Sequence, residues 1–409
     1  MKTPLALLLL AAAALPARAQ TAPPAAPARP AAVTAASGRC GVCHPAERVQ
    51  FERSGHAAEG VRCVSCHGGD DRSLEAGTAH GAGFRGRPAR QDIPRLCASC
   101  HADETRMRPY NLPVDQYALY QTSGHGKRLA RGDRQVAVCS DCHGAHEILS
   151  PRDPASTVYL LNIPRTCGRC HGDRAMMAPR GRDDVLQQYQ ASVHARALFE
   201  QGNLRAPTCV SCHGVHGANP PNFGDIDKVC GQCHTAERRY LASGGHASAR
   251  GGGRPGCSSC HEAHQIQAAR PDRLASSCAM CHEGDPRRLE LGRGLWSDYR
   301  AAAAEVDQAA ALVARADAIP IQTEDYHARI EEARTYLREA LPAAHSVQRD
   351  VEAGFTTRAR AVGQEVQKEI QGKLANLRQH RYVLVAFWFY VLLTLFVLKR
   401  FRDQAARDR

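Results

Sequence analysis

Every cysteine of this chain belongs to a Cys-x-x-Cys-His element, which places two thiols beside an imidazole. Nine such elements use all eighteen cysteines. Thiols at this spacing reach the two vinyl groups of one porphyrin, and the adjacent histidine then ligates its iron. The pattern predicts nine covalently attached haem c groups. The predicted attachment residues are Cys40, Cys43, Cys63, Cys66, Cys97, Cys100, Cys139, Cys142, Cys167, Cys170, Cys209, Cys212, Cys230, Cys233, Cys257, Cys260, Cys278 and Cys281, and the predicted proximal iron ligands are His44, His67, His101, His143, His171, His213, His234, His261 and His282.

Disulfides and zinc are the two alternatives for so many cysteines. A disulfide framework does not require a histidine after every second cysteine. A zinc site pairs two Cys-x-x-Cys elements or adds spaced histidines, without this tandem repetition. Nine elements without an exception therefore favour haem.

Further histidines recur at fixed places and are candidates for the opposite axial position on each iron. An aromatic residue followed by Ser and then His stands in the middle of each unit, and a histidine follows the second motif closely in three units. In the first unit the corresponding histidine lies further away, after a Gly-rich loop. The predicted distal ligands from these repeats are His56, His80, His125, His146, His194, His216, His246 and His264.

The repeat amounts to four two-haem units followed by a single leading motif at Cys278. This last motif has no Ser-x-His segment of its own, so we expect the helical region to donate a ligand. We choose His345 over His327, because Pro342 breaks the chain just ahead of His345 and can aim it at the haem domain. On this hypothesis His345 ligates the iron of His282 and brings the last haem close to the membrane helix.

Residues 39–285 hold too few large apolar side chains for an ordinary core and are rich in Gly, Pro, Arg and Ala. Such a composition alone would suggest disorder, but nine porphyrins supply the missing apolar surface. We therefore predict an all-α fold: a haem-packed domain with little regular structure, a long-helix domain and one C-terminal transmembrane helix. Short helices are expected at each haem motif and before each Ser-x-His, as in 114–122 and 184–192.

The formal net charge of +12 invites a nucleic-acid interpretation. Each ferric haem with two ionised propionates adds roughly −1, so nine haems offset roughly −9 of that excess. No basic blocks are interleaved with aromatic residues. We therefore expect no nucleic-acid partner, and scattered arginines suit haem propionates.

The first residues are typical of a secretion signal, with Lys2 before the apolar run 5–15 and a small-residue cleavage site before Gln20. The run is too short for a membrane anchor. We predict a signal peptide at 1–19 and a disordered Ala- and Pro-rich linker at 20–38.

Residues 286–380 change character and predict a helical domain, with helices at 289–318, 323–341 and 343–380. Apolar stripes at helical spacing mark the packing faces; they are Tyr326, Ile330, Ala333 and Leu337, and then Val347, Val351, Phe355, Val362, Val366 and Ile370. Residues 382–398 form an uncharged apolar run that is about long enough for one bilayer crossing, and we predict a transmembrane helix at 381–399. A buried core helix is the alternative. The basic residues at 400–409 favour a cytoplasmic tail.

The doubled pattern, with Cys-x-x-Cys-His, aromatic-x-x-Ser-x-His and Cys-x-x-Cys-His-x-x-His, resembles the multihaem c-type cytochromes with doubled motifs. That group includes tetrahaem cytochromes, quinol-oxidising cytochromes of nitrate and nitrite respiration and octahaem hydroxylamine oxidoreductases. The resemblance covers Cys40 to His282 and implies haems with two histidine ligands, packed in stacked and perpendicular pairs, that transfer electrons. The helices after Pro286 are similar to those of membrane-tethered members. No motif ends in Lys and no Cys-x4-Cys-His occurs, which are two departures from related cytochromes.

We expect an electron carrier rather than a catalytic enzyme, and we assign no catalytic residue. The hypothesis is a periplasmic cytochrome anchored in the inner membrane, with the bulk of the chain in the periplasm. It would relay electrons from a quinol-linked membrane donor to a periplasmic cytochrome or terminal reductase in anaerobic respiration. The alternative is an oxidoreductase acting on a small nitrogen or sulfur compound at a five-coordinate haem. A conductive filament is a third possibility, and the membrane helix argues against it.

Overall fold

The computed structural model describes residues 37–221, 225–247, 255–268, 270–319 and 321–407. Over these residues the regular structure is helical, with no β-strand, so the predicted all-α fold is confirmed. The predicted signal peptide and nearly all of the predicted linker lie outside the described residues.

Short helices make up the cysteine-rich part, and every Cys-x-x-Cys-His motif lies on one or overlaps its end. Cysteines at i and i+3 share a helix face, so a helical turn presents both thiols on one side. The helices are α1 Cys40–Cys43, α2 Pro45–Glu52, α3 Gly55–Ala58, α4 Cys63–His67, α5 Ala76–Ala79, α6 Ile93–His101, α7 Glu104–Met107, α8 Gln116–Thr122, α9 Gly124–Ala130, α10 Cys139–His143, α11 Ile163–His171, α12 Arg174–Met177, α13 Val185–Gln190, α14 Val193–Phe199, α15 Cys209–His213, α16 Ile226–Cys230, α17 Thr235–Ser243, α18 Ser258–His261 and α19 Leu274–His282.

The expected helices before Ser-x-His are present as α8 and α13. Each is followed by a second short helix, α9 or α14, that carries the histidine itself. The sequence pattern does not predict this second helix. Single 3₁₀ turns connect the longer pieces; they are Arg90–Asp92, Arg108–Tyr110, Leu160–Asn162, Ala178–Arg180, Pro271–Arg273 and Ala344–Ser346.

The chain divides into two compact units. The first contains the described residues up to Ala89 together with His143–Ser150, so that a short later segment joins the first two haem motifs. The second contains Arg90–Cys142 and the chain from Pro151 onward. The long helices therefore belong to the same unit as the later haem motifs.

Three long helices follow the last motif: α20 Pro286–Ala316, α21 Glu324–Ala343 and α22 Arg349–Ala405. Successive helices run in opposite directions and pack into a bundle. Its core contains Ala302, Val306, Ala309, Leu312, Val313, Ala316, Tyr326, Ile330, Ala333, Leu337, Ala359, Val366 and Ile370. The predicted stripe of α21 is buried throughout and is confirmed.

The predicted stripe of α22 is wrong in its first half. Val351 and Phe355 are only half-buried, whereas Glu352, Thr356 and Gly363 lie inside. A Cβ on Gly363 would lie 3.2 Å from the backbone carbonyl of Glu305. The two helices therefore approach too closely for large side chains at this contact, and a pattern of large apolar residues does not reveal the inner face.

The third helix also begins later than predicted, at Arg349 rather than at residue 343. Residues 344–348, which we call the docking hairpin, turn the chain between α21 and α22. Val347 takes a left-handed conformation there, with φ of 53°. A β-branched residue rarely adopts this conformation, so contacts elsewhere must hold the turn.

Helix α22 runs without a break through the predicted end of the helical domain and into the apolar run. All residues of the apolar run 382–398 except residue 391 are exposed. Within the described chain it is the one helix long and apolar enough to cross a membrane, and none of its most apolar window is buried. The buried-core alternative therefore does not hold, and this segment is the candidate membrane span.

Candidate functional site

Predicted proximal and distal histidines face each other across gaps of similar width. The centroids of the paired imidazole rings are 5.9 to 6.3 Å apart. The pairs, each within one of the two compact units, are His44 with His80, His67 with His146, His125 with His171, His194 with His234, His213 with His264, His246 with His282, and His261 with His345.

This separation suits one iron between two imidazoles. An imidazole nitrogen lies about 2 Å from a bound metal, and half a ring lies beyond each nitrogen, so the centroids of two opposed ligands are about 6 Å apart. The paired residues therefore fit a six-coordinate haem iron.

Backbone carbonyls orient two of the proximal rings. Nδ1 of His67 lies 2.9 Å from the carbonyl oxygen of Gly86, and Nδ1 of His213 lies 3.1 Å from that of Asn219. With a proton on Nδ1 donated to the carbonyl, Nε2 keeps its lone pair for a metal. These contacts select the tautomer that a ligand needs.

The serine of the aromatic-Ser-His pattern caps the helix that carries the distal histidine. The hydroxyls of Ser54, Ser123 and Ser192 accept hydrogen bonds from the first-turn N–H groups of α3, α9 and α14, and all three side chains are fully buried. A serine cap satisfies a backbone donor that otherwise lacks a partner. Ser243 differs, because its hydroxyl donates to carbonyls of its own helix α17.

The aromatic residue of the pattern ties the same segment to the next haem motif. The Tyr120 hydroxyl donates to the carbonyl of Ala137 at 2.9 Å, and the Tyr189 hydroxyl donates to that of Pro207 at 2.9 Å. Each acceptor lies two residues before the first cysteine of the second motif. The distal histidine and the neighbouring attachment site are thus built as one piece.

Within each two-haem unit, the first cysteine of one motif contacts the first cysteine of the other motif. Hydrogen bonds join Cys40 to Cys63, Cys97 to Cys139, Cys167 to Cys209, and Cys230 to Cys257. The neighbouring thiol, together with burial, raises the pKa of Cys97 and of Cys167.

Between successive two-haem units, the second cysteine of the closing motif lies near the motif that opens the next unit. Burial first, and then the neighbouring thiols, raises the pKa of Cys142 to about 11 and also raises the pKa values of Cys212 and Cys260. The neighbours are respectively Cys167, Cys230 and Cys278. Seven successive predicted attachment sites, from Cys97 to Cys278, therefore form one unbroken series in the second compact unit.

One cavity beside a histidine pair is lined with arginine. It has a volume of about 570 Å³, and Arg128, Arg180, Gln135 and Met176 are among its lining residues. The two guanidinium groups also lie near the His125–His171 pair, where burial is the main cause of the lowered pKa of each ring. This is the arrangement expected for partners of haem propionates.

The other sequence-predicted histidines occupy the expected local elements. His56 lies on α3, and His101 and His143 end α6 and α10. His216 follows α15, close to Asp115 and His101, and burial lowers its pKa. His327 lies apart from the motifs, with Nε2 3.1 Å from a carboxylate oxygen of Asp317.

The expected pairing of the last motif is wrong. His345 faces His261, whereas His282 faces His246 from the preceding unit. His125, His194 and His246 each face the proximal histidine of the motif that opens the next two-haem unit, namely His171, His234 and His282. The last motif therefore needs no such segment of its own.

The donor sets do not suit the alternatives to haem. No two of the eighteen cysteines form a disulfide bond. Over the described ranges, no three His, Cys, Asp or Glu side chains converge as a zinc site requires. Two opposed histidines suit an iron whose other four positions are filled by porphyrin nitrogens.

Comparison with known proteins agrees with this chemistry. A family model described as cytochrome c3 matches residues 133–235, a range that holds the motifs beginning at Cys139, Cys167, Cys209 and Cys230. No solved structure matches this chain. The match supports a multihaem c-type cytochrome with covalently attached haem c and an all-α fold. A multihaem cytochrome implies redox partners, and the long C-terminal helix of this chain is a candidate membrane span.

Proposed function

We propose that the protein is an electron-transfer cytochrome with nine covalently attached haems, held in the inner membrane by α22 and exposed mainly to the periplasm. The unbroken series of attachment sites from Cys97 to Cys278 carries this proposal. Electron tunnelling weakens steeply with distance, so a relay needs its centres next to one another. Haem iron supplies the one-electron chemistry, while the chain sets spacing, ligation and exposure.

The facing histidines favour a relay over an enzyme. An enzyme of this class binds its substrate at an iron with an open distal side. At each of the seven pairs a second imidazole stands where a substrate would bind. These residues would instead hold the iron in one coordination state, which limits the structural change that accompanies electron transfer.

The bundle bears on the choice of electron donor. The last two pairs, His261 with His345 and His246 with His282, lie at the end of the bundle where α20 and α22 begin. Tyr382 lies thirty-three positions after Arg349, which is about 50 Å of helix at about 1.5 Å per residue. The expectation that the last haem lies close to the membrane helix is therefore wrong.

A quinol within the bilayer is too far away to reduce this end of the series directly. We propose that the donor is a quinol-linked membrane protein. Its domain would extend from the membrane as far as the end of the bundle where α20 and α22 begin. The acceptor would be a periplasmic cytochrome or terminal reductase, and the pathway a form of anaerobic respiration.

Two measurements test the proposal. Intact mass under denaturing conditions should match a chain beginning near Gln20 plus nine haems. Electron paramagnetic resonance of the oxidised protein should show low-spin haem only. A smaller mass would remove at least one attachment site, and a high-spin signal in the wild type would favour an enzyme acting on a small nitrogen or sulfur compound.

A further inference from the structure

A backbone hydrogen bond recurs wherever a distal-histidine helix meets the loop of the following unit. The N–H groups of Gly55, Gly124 and Val193 donate to the carbonyls of Ile148, Ala218 and Ile266, at 2.9, 3.0 and 2.8 Å. Each donor directly precedes a histidine of the Ser-x-His type. Each acceptor stands two residues after the distal histidine of a Cys-x-x-Cys-His-x-x-His motif.

The docking hairpin makes the same contact at the end of the series. Gly245, which precedes His246, donates its N–H to the carbonyl of Ser346 at 2.8 Å. Ser346 directly follows His345. In the repeat this place belongs to the second motif of a fifth unit, which the chain lacks.

His345 of the docking hairpin also faces the partner that its place in the repeat would predict. His146 faces His67, and His264 faces His213; in both pairs the partner is the second proximal histidine of the preceding unit. His261 is the second proximal histidine of the fourth unit, and His345 faces it with centroids 6.0 Å apart.

The shape of the hairpin prepares His345 to be a ligand. Its Nδ1 lies 3.1 Å from the carbonyl oxygen of Pro342, so a proton there leaves Nε2 free for a metal. Ser346 is 1% exposed and lies against Gly244, where an added Cβ would lie 2.2 Å from the Ser346 carbonyl oxygen. The left-handed Val347 closes the turn.

We infer that His345 is the sixth ligand of the haem attached at Cys257 and Cys260, and that the bundle thereby replaces the missing half of a fifth repeat. The inference rests on the proposed haem attachment. The coordination bond, together with the Gly245–Ser346 hydrogen bond, fastens the bundle to the cytochrome part of the chain. The membrane stalk and the electron relay are then one assembly.

The test compares His345→Ala with His327→Ala in the full-length protein. His327 lies in the same bundle but bonds to Asp317, so it is the matched control. His345→Ala should show one high-spin haem per molecule by electron paramagnetic resonance, and added imidazole should return it to low spin. His327→Ala should remain low-spin. A wholly low-spin His345→Ala protein would overturn the inference.

Intact mass separates this result from the proposed function, because every variant should still carry nine haems. A lower count would argue against the attachment sites and not against the ligand. If His345→Ala does not accumulate, Gly244→Ala and Gly245→Ala offer a second comparison. Gly244→Ala collides with Ser346 and should displace His345, giving high-spin haem that imidazole reverses. Gly245→Ala finds its nearest neighbour at 3.8 Å and should not. A low-spin Gly244→Ala protein would also contradict the inference.

Discussion

His246 and His282 face each other with ring centroids 6.3 Å apart and ring planes 2° apart. The two residues belong to successive units, and this offset is what makes each unit depend on the next. His246 lies beside the Gly245 contact to the docking hairpin, so the last two histidine pairs share one structural junction.

A double variant tests whether His246 and His345 serve different irons. His246→Ala and His345→Ala should each give one high-spin haem, because they face different proximal histidines. The combined variant should give two high-spin haems by electron paramagnetic resonance. If both residues served His282, the combined variant would show no more high-spin haem than either single one.

Removing a helix cap should weaken the folded state. Ser192→Ala deletes the buried hydroxyl that accepts from the N–H of Ala195, and such a loss typically costs about 1 kcal/mol in the free energy of unfolding. Denaturant titration measures this change. Ser243→Ala is the control, since Ser243 is exposed and caps no helix start; an equal loss there would argue against the capping role.

Glu352 should make the stability of the bundle depend on pH. It is 1% exposed, and neither carboxylate oxygen has a hydrogen-bond partner. Burial, and secondly the carboxylate of Asp298 on α20, raises the pKa of Glu352 from 4.5 to about 7, against the opposing effect of Arg349 on its own helix.

Because the folded-state pKa lies above the ordinary value, the stability linked to Glu352 is fully present below pH 4.5 and is lost as the pH rises through about 7. Glu352→Gln should therefore raise the melting temperature at pH 8 and flatten its pH profile between these values, as followed by circular dichroism. Asp350→Asn, an exposed change on the same helix, should leave the profile in place. An unchanged profile in Glu352→Gln would rule out this role.

Truncation after Gln379 should release a soluble cytochrome, because it removes the whole exposed apolar run of α22 while leaving the bundle core. Fractionation of cells into soluble and membrane parts measures the result. A phosphatase fused after Arg409 should be inactive, since that enzyme requires an oxidising compartment for its disulfides. An active fusion would place the C-terminus outside the cytoplasm.

The haem attachment sites are a prediction that the sequence allows because their chemistry is local. Two thiols and an imidazole within five consecutive residues define a site whatever the rest of the chain does. The buried stripe of α21 was equally accessible, since Tyr326, Ile330 and Leu337 are large and apolar at helical spacing. The inner face of α22 could not be predicted in this way, because Glu352, Thr356 and Gly363 are polar or small. They lie inside because the helices cross too closely there for large side chains.

The sequence by itself determined which residues can hold haem, that the fold is helical and that one segment is apolar enough for a membrane. Only the tertiary structure decided which histidines face each other. Facing pairs such as His125 with His171 join different two-haem units. The pair of His261 with His345 joins a repeat to a bundle residue more than eighty positions away. Such pairs depend on how helices dock, and docking is set by long-range contacts, such as that between Gly244 and Ser346, that leave no periodic trace in the chain.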